Sequence, residues 1–299
     1  IHPDVALSLV RLADMFNYGW EDYSDNKATA LSLYQEALVP LRESFGRISP
    51  HLGMAYNSIG ILYAARNKLQ HSMKSFYDAL ASYGVRSRAD ETARKGQSQP
   101  DVFYVWINVG GLHMEKREWR LALRSFLKAH SAFQCLDEES RTYLQKIGPR
   151  MMMRQAMTVS YFEDNDTLLA SVLQSIGKAH SMLHQYGKAI ETLEEALRIH
   201  KVVAIRGGAT NPRSPGQDVA RILENLGEVL MISGDLTSAH SRYVESLRIL
   251  RSISCANDSS IEVALVLGAI GQVHLKKGEY AEARVVLKEC MRTFEKIGK

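Results

Sequence analysis

The chain has 299 residues, 45% of them hydrophobic and only 7 of them proline, which is enough apolar surface to order most of its length and excludes a largely disordered protein. With 37 basic and 33 acidic residues the formal charge is +4, spread along the chain without the clustered runs that nucleic acid demands. Three cysteines, Cys135, Cys255 and Cys290, show no CxxC spacing and fit a reduced, cytoplasmic compartment; no apolar run reaches the roughly 18 to 20 residues of a membrane span.

Taken in order, the elements repeat. A first signature of a large apolar residue, an aliphatic, a small residue and an aromatic or its equivalent recurs six times. It reads Leu9, Leu12, Ala13, Phe16; then Tyr56, Ile59, Gly60, Tyr63; then Trp106, Val109, Gly110, His113. In the second half it reads Leu173, Ile176, Gly177, His180; then Leu223, Leu226, Gly227, Leu230; then Leu267, Ile270, Gly271, His274. Each copy is followed by a second signature: Ala30, Tyr34, Ala37; Ser72, Phe76, Ala79; Ala122, Phe126, Ala129; Ala189, Leu193, Ala196; Ala239, Tyr243, Ser246; and Ala283, Leu287, Cys290. From each of the five glycines to the Ser or Ala that begins the second signature is 12 residues, whereas Ala13 to Ala30 is 17, so the first copy carries an insertion near Trp20 to Asn26.

Both signatures have helical spacing, and a glycine that costs about 1 kcal/mol in a helix returns that cost only where a partner helix approaches closely. The pattern therefore predicts antiparallel helix pairs. Asp4, Asp101, Asp218 and Glu262 stand where acids favour the positive end of a helix dipole. The expected pairs span residues 2–48, 50–84, 100–136, 167–205, 217–254 and 260–299 of one solenoid. Insertions are expected at 85–99, 137–166 and 206–216, the central one forming an extra helix and the point of flexing. A chain that starts at Ile1 and ends within a helical pattern is expected to be a segment of a longer protein.

This pattern resembles the tetratricopeptide repeat, the third copy most closely, through Trp106, Val109, Gly110, Ala122, Phe126 and Ala129. Spacings of 44 to 67 residues between successive small residues exceed the usual 34. The long spacings, together with Leu33-Tyr34, Ala37-Leu38, Phe45-Gly46 and Ser49-Pro50-His51, are similar to the kinesin-light-chain type of repeat. The resemblance implies an all-α, right-handed superhelical solenoid of about six antiparallel helix pairs, whose first helices line a concave groove.

Counting from the packed positions, the groove candidates are Arg11, Asn57, Tyr104, Asn108, Gln174, Lys178, Arg221, Glu224, Asn225 and Glu228. The amides Asn57, Asn108, Gln174 and Asn225 can donate to and accept from a peptide backbone, or bond only to water and neighbours. Leu7, Val10, Met54, Ile61, Tyr104 and Ile107 give the first three repeats an apolar floor. Later repeats mix Lys178, Arg221 and Lys276 with Glu224 and Glu228. The kinesin-light-chain resemblance implies a basic groove for acidic cargo, whereas these residues favour a mixed ligand.

No phosphate-binding GxxxxGK[ST], GxGxxG or GxSxG motif is present, so no catalytic, cofactor-binding or metal residue is assigned. His180 and His184 have the i, i+4 spacing of a metal pair but lack the glutamate of HExxH, and His180, like His113 and His274, fills the aromatic slot of its repeat. Met151 to Met153 read as insertion core or as an adaptable contact surface. The run Arg86, Arg88, Arg94 and Lys95, broken by Asp90 and Glu91, reads as a solvated loop. The functional expectation is a scaffold for a peptide or protein partner, with a motor-cargo adaptor as its specific form. The alternative is a regulatory or sensor repeat domain of a multidomain signalling protein.

Overall fold

The computed structural model describes residues 2–18, 24–85, 100–152, 165–207, 215–253 and 260–297. These residues are helical apart from turns and short connections. The chain divides into two compact units, Ile1–Asn165 and Asp166–Lys299, parting at the end of the central insertion.

Unit 1 comprises α1 (Pro3–Tyr18), α2 (Ser24–Phe45), α3 (Pro50–Ala65), α4 (Leu69–Ser82), α5 (Asp101–Glu115), α6 (Trp119–Gln134) and α7 (Glu138–Met151). Unit 2 comprises α8 (Asn165–Met182), α9 (Tyr186–Gly207), α10 (Pro215–Ser233), α11 (Leu236–Ile253), α12 (Ile261–Lys277) and α13 (Tyr280–Ile297). In unit 1, α1 packs on α2, α3 on α4 and α5 on α6, and each pair stacks on the next through α2 with α3 and α4 with α5. Unit 2 repeats the arrangement with α10 on α11 and α12 on α13, stacked through α9 with α10 and α11 with α12.

The repeated glycines explain how the helices of a pair approach. A Cβ on Gly60 would come 2.5 Å from the Phe76 ring, and one on Gly227 would come 2.7 Å from Tyr243. Gly110 meets Phe126, Gly177 meets Leu193 and Gly271 meets Leu287 in the same way. The large residue 16 positions after each glycine thus occupies the space that a Cβ would take, and interiors packed to crystal density do not accommodate both. Ala13 and Ala30 are fully buried where α1 meets α2, and the Tyr34 hydroxyl donates to Asp14.

The turns joining paired helices share a register too. Asn67, Arg117 and His184 adopt φ of 56°, 58° and 58°, and Gly234 and Gly278 adopt 96° and 78°. All five lie seven residues after the packing glycine. His113, His180 and His274 brace this turn: each Nδ1 lies 2.6 to 2.7 Å from the side chain five residues on, Glu118, Gln185 and Glu279 respectively. His184 instead pairs with the Tyr186 hydroxyl at 2.8 Å, so the two histidines read as a possible ligand pair are each engaged by a different neighbour.

Asp4, Asp101, Asp218 and Glu262 all fall in first helical turns. Asp101 is nonetheless buried and accepts a 3.2 Å hydrogen bond from the Tyr83 hydroxyl; desolvation pushes its carboxyl up to about 6. The central insertion does contribute a helix, α7, whose N-cap Asp137 accepts from the Ser140 amide at 2.8 Å. Trp20, Tyr23, the run from Arg86 to Lys95, Met153 and Cys255 lie outside the described residues.

Candidate functional site

Three of the groove candidates converge in unit 1. Asn57 on α3 and Asn108 on α5 are fully buried, as is Tyr104 one turn before Asn108. Asn108 Nδ2 donates to Asn57 Oδ1 at 3.0 Å and to the Met151 carbonyl at 2.8 Å. Asn57 Nδ2 donates to the same carbonyl at 3.0 Å. Met151 is the last residue of α7, where helical carbonyls lack an intrahelical donor and the dipole is negative. Two amide groups from neighbouring first helices therefore cap the end of α7.

A second bond fixes the body of that helix, since the Tyr104 hydroxyl donates to the Leu144 carbonyl at 2.7 Å. The side chains of Leu144 and Met151 are buried. α7 packs on both α3 and α5, and Ile107 on the floor beneath is fully buried. Of the apolar floor expected of the first repeats, Tyr104 and Ile107 on α5 are thus buried where α7 packs, while Leu7, Val10, Met54 and Ile61 stay half-buried, and Met151 belongs to the core of unit 1.

In unit 2 the corresponding face carries a cleft of ≈ 370 Å³. Glu224, Asn225, Glu228 and Met231 of α10, Tyr243 of α11, Leu265, Ala269 and Gln272 of α12, and Cys290 and Phe294 of α13 are among the residues that line it. Leu265 is 58% exposed and Phe294 43% exposed. The Ser246 hydroxyl donates to Glu224 Oε1 at 3.1 Å. Desolvation, reinforced by Glu262, raises the Glu224 carboxyl above its ordinary range, while Ser246 and Arg221 oppose the rise. Burial and the two carboxylates Glu224 and Glu228 likewise raise the Tyr243 phenol.

Arg221 is not among the lining residues; its guanidinium engages Asp218 one turn earlier on α10. The charged groups that line the cleft are therefore the carboxylates Glu224 and Glu228, and the mixed charge that the sequence suggests gives way there to an acidic rim. Of the remaining candidates, Arg11 is exposed on α1, Gln174 is buried on α8 and Lys178 is exposed on α8. Tyr243 and Phe294 are cleft residues outside the sequence-derived set, because they sit on second helices and that set follows the first helices only. Among the described residues no cluster of three or more His, Cys, Asp or Glu could hold a metal ion, and no described helix is long and apolar enough to cross a membrane.

Residues 218–296 match the family model of the tetratricopeptide repeat. Comparison with curated proteins finds no match. Among solved structures the chain is similar to PilW, titled a widely conserved type IV pilus biogenesis factor, at 15% identity and a TM-score of 0.58, covering 97% of this chain and 94% of that one. It is similar also to BtubC (BKLC) from P. vanneervenii, at 14% identity and a TM-score of 0.57, covering 93% of each chain. A third similar structure, PilF of Pseudomonas aeruginosa, has 13% identity and a TM-score of 0.53, covering 98% of this chain and 94% of that one. At these identities the likeness is one of fold, the tetratricopeptide helix-pair solenoid.

Proposed function

We propose that this protein is an interaction scaffold that captures a segment of a protein partner on the faces of its first helices. One observation carries the reading: Asn57 and Asn108 meet on the main-chain carbonyl of Met151. Side-chain amides bond a main-chain carbonyl without regard to the side chain beside it, so this surface chemistry suits the grip of polypeptide. In unit 1 the gripped segment is the chain's own α7. In unit 2 the cleft beside Leu265 and Phe294 offers the same kind of face to a partner, with Asn225 and Gln272 as its amides.

The finer form implied by the kinesin-light-chain resemblance, an adaptor for acidic cargo, calls for a basic groove. Glu224 and Glu228 at the cleft favour a different ligand, so the reading stays at the level of a peptide-binding scaffold. It is tested by selecting a displayed random peptide library on the full chain and re-measuring the enriched sequences on Leu265→Arg. The side chain of Leu265 is 58% exposed, so the substitution fills the cleft without entering the core. Enriched peptides should lose roughly tenfold or more in affinity, as at an interface anchor. Absence of enrichment, or affinities that ignore the substitution, overturns the reading.

A further inference from the structure

We infer that the cleft of unit 2 selects an extended peptide segment in which an apolar side chain is flanked by lysine or arginine. The inference rests on the scaffold reading above and assigns the chemistry of the partner. Its first support is the floor. Met231, Leu265, Ala269 and Phe294 give the cleft an apolar lining, and ≈ 370 Å³ lies in the range of sites that enclose a small ligand. That space accommodates one large apolar side chain with part of its neighbours. Leu265 and Phe294 keep much of their surface exposed at its edge, which an apolar insert would cover.

The second support is charge. Glu224 and Glu228 stand one turn apart on α10, and both line the cleft. The nearest cation on that helix, Arg221, is held by Asp218. On α12 the nearest is Lys276, one turn beyond Gln272 and outside the lining. Glu224 already shows the cost of standing partly out of water with Glu262 close by, and a cationic side chain laid beside it offsets both effects. A polyanion such as nucleic acid meets repulsion at the same place. Asn225 and Gln272 complete the fit by presenting donors and acceptors to the peptide backbone between the two charged positions.

Three fluorescein-labelled decapeptides in a Gly/Ser background test this on the full chain by anisotropy: one central leucine flanked by two lysines, the same leucine flanked by two glutamates, and the lysine peptide with serine for leucine. The lysine–leucine peptide should bind at least about tenfold more tightly than either of the others. Its affinity should fall about tenfold in the double variant Glu224→Gln, Glu228→Gln and weaken as salt is raised. Glutamine keeps the acceptor that Ser246 uses, so the fold is preserved, and an unchanged melting curve checks it. Equal affinity for the lysine and glutamate peptides, or a double variant that binds as the wild type does, overturns the inference. If the glutamate peptide binds instead and Leu265→Arg abolishes that binding, the scaffold reading stands and the assigned chemistry falls. No binding by any of the three overturns the assigned chemistry, and the library selection then decides the scaffold reading separately.

Discussion

Gly110 on α5 faces the ring of Phe126 on α6 so closely that a Cβ on the glycine would come within 2.6 Å of it. The ring is itself almost fully buried and has nowhere to turn. Gly110→Ala therefore forces the helices of the pair apart or the ring out of its rotamer, and should destabilise the protein by about 1–3 kcal/mol. Gly187 on α9 is the contrast, because nothing lies within 4 Å of its Cβ position. Gly187→Ala should be stabilising by up to about 1 kcal/mol through helix propensity alone. Urea unfolding of the two variants beside the wild type checks both signs, and a neutral Gly110→Ala would remove close approach as the reason for the repeated glycine.

The left-handed turns give a second prediction. Arg117 and His184 occupy the position that Gly234 and Gly278 fill in later repeats, with φ of 58° in each. A side chain there costs about 1–2 kcal/mol, from which the greater freedom of unfolded glycine takes back about 0.5–1. Arg117→Gly should accordingly gain a few tenths to about 1 kcal/mol, seen as a higher melting temperature. Gly278→Ala should lose a similar amount.

How much of this was legible in the sequence differs from residue to residue. The helix pairs were, because Gly60, Gly110, Gly177, Gly227 and Gly271 keep a fixed distance from the residues that open their partner helices, and a local period needs no tertiary information. The left-handed turns were present in the same register as Asn67, Gly234 and Gly278, but Arg117 and His184 hide the signal in two repeats. The chemistry of Asn57 and Asn108 was legible as a means of gripping backbone. Its occupant was not: Met151 lies 94 residues beyond Asn57, and no periodic pattern ties the two. Arg221 read as a groove cation because spacing places it on the face, whereas its engagement by Asp218 depends on side-chain rotamers.

Asp101 yields a pH dependence. Its carboxyl is pushed up to about 6 in the folded chain against an ordinary 3.8, because desolvation by burial outweighs the hydrogen bonds from Tyr83 and Tyr143 that favour the charge. The folded state therefore binds more protons than the unfolded state between those values, and stability falls as pH rises from about 4 through about 6. The shift corresponds to an effect on the order of 2–3 kcal/mol at neutral pH. Asp101→Asn keeps an acceptor for the Tyr83 hydroxyl and loses the charge. It should raise stability at pH 7 relative to the wild type, with the difference shrinking toward pH 4. Melts across that range decide it, and a difference that does not change with pH would show that the carboxyl is ionised without penalty.

The hold on α7 is the most direct prediction to argue from geometry. Asn108→Ala removes the donors to the Met151 carbonyl and to Asn57 Oδ1, leaving a buried acceptor without its amide, at a cost of about 2–3 kcal/mol. Tyr104→Phe removes only the bond to the Leu144 carbonyl and should cost about 1 kcal/mol. Since the packing of α5 on α6 runs through Gly110 and Phe126 on another face, the loss should fall on α7 before it reaches the helix pairs. Hydrogen exchange should then show the amides of residues 138–151 exchanging faster in Asn108→Ala, with those of α5 and α6 little changed. Tyr104→Phe should produce the same pattern to a smaller degree. Equal protection of α7 in all three proteins would mean that its apolar contacts hold it without the amides, and that Asn57 and Asn108 serve the groove floor alone.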